Sequence, residues 1–251
     1  MSTQQLLAPF RKAITDYNMI NDGDKIAVGV SGGKDSLTLL SLLKTYQRFS
    51  PQKFELIAAT IDMGFVQNSY DNIQEYCDKI DVPYVIQKTQ IADIIFNIRK
   101  EKNPCSLCAK MRRGALNSLI LEKGYTKLAL GHHSDDVLET FLLSLLYEGR
   151  LSTFAPISFM DKTGVSLIRP MIYIHESDIS TYAKNINLPV TFNSCPADKH
   201  TKRQDMKNLV DYLQNLIPDS KDRIFSAISH PERFNLWDNI IEKYLKEQNK
   251  D

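Results

Sequence analysis

A chain of 251 residues, 43% of them hydrophobic, is long enough to bury a full core as one domain or as one domain with a small appendage. Its 31 Lys and Arg against 30 Asp and Glu leave a formal charge of +1, which excludes a global basic field and confines any nucleic-acid site to a local patch. No apolar run approaches membrane-spanning length, and Met1-Ser-Thr-Gln-Gln lacks the basic region and long apolar stretch of a secretory signal, so a cytoplasmic chain with no membrane partner is expected.

In chain order, Leu6, Leu7, Phe10, Ile14 and Tyr17 recur at helical spacing and predict an amphipathic helix within residues 1–22. Asp22-Gly23-Asp24 is a turn. The apolar run from Lys25 to Val30 reads as a buried parallel strand, and Leu37 to Leu43 as a helix. Phe54 to Ile61 is a second strand, Asn68 to Ile80 a helix, Val82 to Lys88 a third strand, and Ile91 to Lys100 a short helix. A further helix is expected from Cys108 to Lys123, ending at Gly124. Tyr125 to Leu130 is a fourth strand, followed by an apolar helix from Val137 to Tyr147.

This β-α-β-α rhythm predicts an α/β fold, a doubly wound, Rossmann-like parallel sheet with ligands at the carboxyl ends of its strands. Beyond it, Phe154 to Met160 and Val165 to Ile168 form a hairpin split by Asp161-Lys-Thr-Gly164. Glu176 to Asn185 is a helix and Leu188-Pro189-Val190 a short strand. A basic helix from Lys199 to Leu216 and a helical tail from Lys221 to Lys250, broken near Pro231, complete the chain.

The first strand ends in Ser31-Gly32-Gly33-Lys34-Asp35-Ser36. Two glycines let a ligand approach the backbone, and the N–H groups there, with the helix N-terminus behind them, form an anion cradle. The kinase-type phosphate loop is excluded, because Val28 stands where its first glycine belongs and Asp35 where its hydroxyl belongs. At the end of the fourth strand, Gly131-His132-His133-Ser134-Asp135-Asp136 offers carboxylates suited to the magnesium of a bound nucleotide. As plain structure, Asp135 would cap the following helix and Asp136 would sit at its positive end.

Cys105-Ser-Leu-Cys108 presents two thiolates to one metal, and Cys195 lies in a segment that must fold back over the strand ends. Three thiolates suit an iron–sulfur cluster with one open position; adding His200 would make a closed tetrahedral zinc site. Spacing leaves both open. Cys77, on the apolar face of an ordinary helix, is expected to be a core thiol. Basic residues flank the cysteines on both sides: Lys110, Arg112 and Arg113, then Lys199, Lys202, Arg203 and Lys207. They read either as solvated faces or as an RNA backbone patch.

Ser31-Gly-Gly-Lys-Asp-Ser36, Cys105-Ser-Leu-Cys108 with Arg112-Arg113-Gly114, Leu130-Gly-His-His-Ser-Asp-Asp136, Ile168-Arg-Pro170 and Cys195 with Arg203-Gln204 occur in an order that resembles the tRNA 2-thiocytidine synthetase family of PP-loop ATP pyrophosphatases. The resemblance spans roughly residues 22–235. It implies the PP-loop nucleotide-binding fold, with a helical segment at 1–22, an ATP-binding domain at 23–172 carrying the Cys105-x-x-Cys108 insert, and a C-terminal part at 173–251 carrying Cys195.

Further implications are residue by residue. ATP would lie on Val30, Ser31, Gly32, Gly33, Lys34, Asp35, Ser36, Asp62, Gly131, His132 and Asp136, with Asp135 and Asp136 toward Mg²⁺. Cys105, Cys108 and Cys195 would hold a 4Fe–4S cluster, and Asp62, Arg112 and Asp136 would serve catalysis. The implied partners are tRNA and a sulfur donor, either free sulfide or a cysteine desulfurase persulfide, with a homodimer allowed.

The implied reaction adenylates a pyrimidine C2 carbonyl and replaces its oxygen by sulfur, with cytidine 32 of tRNA as the expected target. A 2-thiouridine enzyme, a lysidine-type ligase with structural zinc and a nucleotide-binding iron–sulfur sensor are the rival readings. Two departures from the family pattern touch the substrate side. Phe192-Asn-Ser-Cys195 keeps one cysteine where the family often has two, and Pro196-Ala-Asp-Lys-His200 replaces the small residues expected next.

Overall fold

The computed structural model describes residues 2–65, 70–101, 104–191, 195, 202–234 and 236. Six strands form one sheet: β1 (Asp24–Gly29), β2 (Phe54–Asp62), β3 (Tyr84–Lys88), β4 (Lys127–Ala129), β5 (Ile157–Met160) and β6 (Val165–Ile168). Their spatial order is β3-β2-β1-β4-β6-β5. All neighbours run parallel except β5, which closes the edge antiparallel to β6 as the predicted hairpin.

Alternation along the strands builds two cores. Ile26 and Val28 of β1, with Leu56 and Ala58 of β2, face one side; Ala27, Ile57 and Ala59 face the other. The first face is covered by α1 (Thr3–Asp16), α2 (Lys34–Gln47), α3 (Asp71–Lys79), α6 (Ser134–Glu148) and α7 (Glu176–Asn185). The second is covered by the short α4 (Ile91–Asp93), which continues as a π-helical turn over Ile94–Ile98, and by α5 (Pro104–Glu122). Two further helices, α8 (Lys202–Leu216) and α9 (Ser220–Ser229), pack outside α6, and a 3₁₀ turn follows at Pro231–Arg233.

Sheet order reverses direction between β1 and β4, which opens a crevice at their carboxyl ends. The loop after β1 and the loop after β4 meet there. Gly131 makes the approach possible: a Cβ on it would lie 2.9 Å from the Asp35 carbonyl carbon and 3.1 Å from the Ser36 nitrogen.

Several element boundaries differ from the sequence-based expectation. The helix α5 starts at Pro104, not at Cys108, because proline suits the first helical position and brings both cysteines into the first turns. Residues 188–190 do not join the sheet. The Val190 N–H is spent on the Leu188 carbonyl at 2.8 Å, and the Thr191 N–H on the Gly32 carbonyl at 2.9 Å, so this stretch crosses over the loop after β1. α1 ends at Asp16, six residues short of the expected segment boundary at 22. The expected tail helix beyond 236 lies outside the described residues.

Candidate active site

The loop after β1 closes on itself through its two serines. The Ser31 N–H donates to Ser36 Oγ at 3.1 Å, the two hydroxyls are 3.2 Å apart, and Ser36 Oγ donates to the Gly33 carbonyl at 3.0 Å. Gly32 takes φ +85°, a left-handed conformation that a side chain would strain. Gly33 is the N-cap of α2 and has no side chain to offer, so no side-chain cap covers the first N–H groups of the helix. The result is a small polar rim carrying a helix N-terminus, which suits a phosphate chain.

Beneath this rim lies a cleft of about 380 Å³. Gly29, Val30, Ser31, Asp35 and Ser36 form one wall; Leu130, Gly131, His132 and Asp136 form another. Ala59 and Ile61 of β2 supply an apolar patch, and Ala109, Arg112, Arg113 and Leu116 of α5 roof it. Arg203 reaches in from α8.

Lys34 does not join this lining. Its ammonium lies 2.9 Å from Asp35 Oδ1 and 2.9 Å from Glu176 Oε1 on α7, and Lys207 reaches the same Glu176 oxygen at 2.7 Å. The expected phosphate ligand is thus committed to a carboxylate pair below the loop. Burial alone would raise the Glu176 carboxyl, but the bonds from Lys207 and Lys34 outweigh it and hold it below its ordinary value.

The two acids after β4 part company. Asp136 faces the cleft: it accepts the His133 N–H at 3.0 Å and pairs with Arg203 at 3.2 Å. Asp135 is buried on the other side of the α6 N-terminus, where it accepts the Glu176 N–H at 2.8 Å and Lys221 Nζ at 3.0 Å. Those bonds outweigh the upward push of burial and hold the Asp135 carboxyl low. Both of its oxygens serve to pin α7 and α9, away from the cleft that Asp136 lines. Asp62 ends β2 with Oδ1 accepting the Gly64 N–H at 3.0 Å, beside rather than within the cleft lining.

His132 lines the cleft with its ring tied from behind. Arg169 Nε donates to His132 Nδ1 at 3.3 Å, and Phe154 packs 5.0 Å from the imidazole. Burial chiefly, opposed by Asp136 and aided by Arg169 and Arg203, keeps the imidazole pKa well below its ordinary value.

On the roof, Cys105 and Cys108 sit three residues apart on α5, one face of one helix, and Arg112 follows Cys108 by a single turn. Cys105 is exposed, Cys108 and Cys195 half-buried, and none of the three is in a disulfide. Burial raises the Cys108 thiol first; Arg112 lowers it, and Cys195 and Cys105 raise it again. The last two effects require both other sulfurs to be near Cys108, so two chain segments, α5 and the stretch at residue 195, bring three thiols together close to Arg112.

Among the described residues, no three His, Cys, Asp or Glu side chains converge closely enough to hold a single metal ion. A closed mononuclear site demands such convergence. A cubane does not, because each thiolate binds a different corner iron. Three soft thiolates are a donor set that suits an iron–sulfur cluster or zinc; His200, the fourth zinc ligand considered, lies outside the described residues.

Residues 3–211 match the model of the PP-loop domain. A tRNA-cytidine(32) 2-sulfurtransferase of Syntrophotalea carbinolica is 38% identical over 236 residues, covering 93% of this chain and 91% of its own. The same-named protein of Geobacter sulfurreducens is 38% identical over 238 residues, covering 92% and 91%. The chain belongs to the tRNA 2-thiocytidine synthetase family. Among solved structures, the U34-tRNA thiolase NcsA of Methanococcus maripaludis, with its [4Fe-4S] cluster, superposes at TM-score 0.76 with 26% identity, over 92% of this chain and 79% of that one.

The chain carries its basic residues differently from the expected patch. Lys110 and Arg113 on α5 are exposed beside the cysteines. Arg203 is instead bound to Glu139 Oε2 at 2.9 Å, to Asp136 and to the Thr140 hydroxyl, which makes it a cleft residue. Lys207 is paired with Glu176, and Lys202 lies 4.2 Å over the Tyr147 ring. Both charges are engaged within the protein; Lys199 lies outside the described residues. Residue-by-residue reading gave no role to Glu176, Arg169 or Thr191. A charge directly after the apolar run Val165–Ile168 was the available signal for Arg169.

Proposed function

We infer that this chain is an ATP-dependent tRNA sulfurtransferase that adenylates a pyrimidine C2 carbonyl and exchanges its oxygen for sulfur, with cytidine 32 as its target. A pyrimidine C2 oxygen is a poor leaving group. Transfer of AMP to that oxygen, with pyrophosphate departing, turns it into a good one, and sulfur then takes its place at C2 as AMP leaves. The single observation that carries the reading is a cleft walled by Ser31, Ser36 and Asp136 and roofed by Arg112, which follows Cys108 by one turn of α5.

Ser31, Ser36 and the open N-terminus of α2 would bind the triphosphate, with Val30, Gly32, Gly33 and Asp35 around it. Asp136, aimed by Arg203, is a carboxylate on the cleft that would suit Mg²⁺. Arg112 and Arg203 would offset charge developing on the phosphates. When bound to Cys105, Cys108 and Cys195, a 4Fe–4S cluster supplies an open coordination position for sulfur. Lys110 and Arg113 offer the tRNA backbone two exposed cations beside that rim. The target base must leave its stack to enter, which is cheapest in a loop. Free sulfide would serve as donor directly, or a desulfurase persulfide once thiols have reduced its outer sulfur by two electrons to sulfide, in the cytoplasm, where tRNA and reduced thiols coexist. Greater identity to the cytidine-named relatives than to the uridine thiolase supports 2-thiocytidine as product.

The test is turnover by anaerobically purified protein given ATP, Mg²⁺, sulfide and unmodified tRNA. The expected outcome is 2-thiocytidine in digested tRNA with AMP and pyrophosphate formed in step. AMP formation without any thionucleoside, or zinc in place of iron and acid-labile sulfide, would overturn it.

A further inference from the structure

Arg169 follows β6 and is 7% exposed, yet its guanidinium is satisfied by neutral groups. It donates to the Ala155 carbonyl, to Ser158 Oγ at 3.3 Å and to His132 Nδ1 at 3.3 Å, and it lies 4.8 Å over the Phe154 ring. Among the described residues no carboxylate stands within ion-pair distance of it. A buried cation without a counter-ion is costly to keep. Such a group is retained most readily where negative charge arrives or develops close by.

Its bond to His132 fixes more than a ring orientation. A guanidinium has no acceptor, so Nδ1 must offer its lone pair and the ring proton must sit on Nε2. With Nδ1 taken by Arg169 and a ring face against Phe154, Nε2 is the polar atom His132 can present to the cleft it lines. Gly131, immediately before it, sits tight against Asp35 and Ser36, so His132 stands beside the first turn of α2, where the phosphate chain would enter.

We propose that Arg169 is a positioning residue that locks His132 in its Nε2–H form, so that His132 donates a neutral, cation-polarised hydrogen bond to the α-phosphoryl group as adenylation proceeds. The guanidinium on Nδ1 draws electron density from the ring and sharpens the Nε2–H donor without a second ring proton. A neutral donor does not ion-pair with the resting triphosphate, so its effect falls on charge that builds in the transition state rather than on ground-state binding. The inference rests on the adenylation reading above.

The experiment follows tRNA-dependent AMP formation by the holoenzyme, with ATP KM and kcat separated, in wild type, Arg169→Met, His132→Gln, His132→Asn and the Arg169→Met/His132→Gln double variant. Gln presents its N–H at the position of Nε2, Asn at that of Nδ1. Arg169→Met and His132→Asn should each lower kcat on the order of 100-fold with ATP KM moved less than about threefold. His132→Gln should retain most of the lost turnover, falling about tenfold or less, because its amide keeps the donor. Adding Arg169→Met to His132→Gln should then cost less than about threefold, since Gln has no tautomer to lock.

Additive losses in the double variant, equal losses in the Gln and Asn variants, or a defect confined to ATP KM would overturn the inference. If Arg169→Met fails to fold by thermal melting, the Gln–Asn comparison decides alone. Absence of AMP formation by the wild type would sink the adenylation reading itself, which separates the two failures.

Discussion

Thr191 is fastened to Gly32: its N–H donates to the Gly32 carbonyl at 2.9 Å, and its Oγ1 stands only 2.0 Å from where a Cβ on residue 32 would fall. Four residues later comes Cys195. The nucleotide loop and the segment that delivers the third thiol are therefore joined through a backbone bond at a position only glycine fills. Gly32→Ala should fail twice, once by the left-handed backbone, worth about 1–2 kcal/mol, and again by the clash with Thr191. The variant should melt lower and bind ATP at least tenfold more weakly, by about the factor that 1.4 kcal/mol represents. Unchanged affinity in a titration calorimeter would show that the loop tolerates a side chain there.

Glu176 bridges Lys34 and Lys207, so its removal takes a partner from both cations at once and leaves Lys34 with Asp35 alone. Its carboxyl is held below the ordinary value of 4.5, which fixes the sign of the linkage. The unfolded chain takes up the proton first as pH falls, so the contribution is complete above that ordinary value and is lost as pH drops through the lower folded value. Glu176→Gln should therefore lower the melting temperature at pH 7, and the gap from wild type should close as pH falls below about 4.5. A gap independent of pH would mean that shape, not charge, is what the side chain supplies.

Elements built on strong periodicity were legible in the chain: α7 runs over Glu176–Asn185 as expected, and the hairpin of β5 and β6 brackets Gly164. What local reading missed depends on partners distant along the chain. Leu188-Pro189-Val190 has strand-like residues, but its next N–H group is claimed by Gly32, so it crosses the sheet end. Lys34 sits in a phosphate-loop motif, yet its partner Glu176 lies 142 residues away. Asp135 and Asp136 are neighbours on a helix start, and only the packing of α7 and α9 decides which one sees the cleft.

Thiol chemistry should separate the four cysteines. Cys77 is buried in the core, where burial chiefly pushes its thiol up to about 12, so thiolate is scarce at neutral pH. Cys105, Cys108 and Cys195 are each at least partly accessible. Protein stripped of metal and treated with iodoacetamide at pH 8 should gain three labels by mass spectrometry and spare Cys77 until denaturant is added. Pre-loading with iron and sulfide should protect the three. Labelling of Cys77 at the rate of the others would contradict its place in the core.

The basic residues should divide by what their charges touch. Lys110 and Arg113 are exposed on α5, Arg113 at the cleft roof, whereas Arg203 is spent on Glu139, Asp136 and Thr140. A phosphate contact shows itself through released counterions, so Lys110→Ala should weaken tRNA binding and lessen its salt slope by about one, with kcat little changed. Arg203→Met should leave that slope intact. It would instead release Asp136 and strand the Glu139 carboxylate, whose pKa burial already raises against the pull of Arg203. The expected result is a fall in kcat of roughly tenfold or more, in keeping with the loss of a cation beside developing phosphate charge. Filter binding across a salt series, run beside AMP release, distinguishes the two classes. A steep change of salt slope in Arg203→Met would return that residue to the RNA surface.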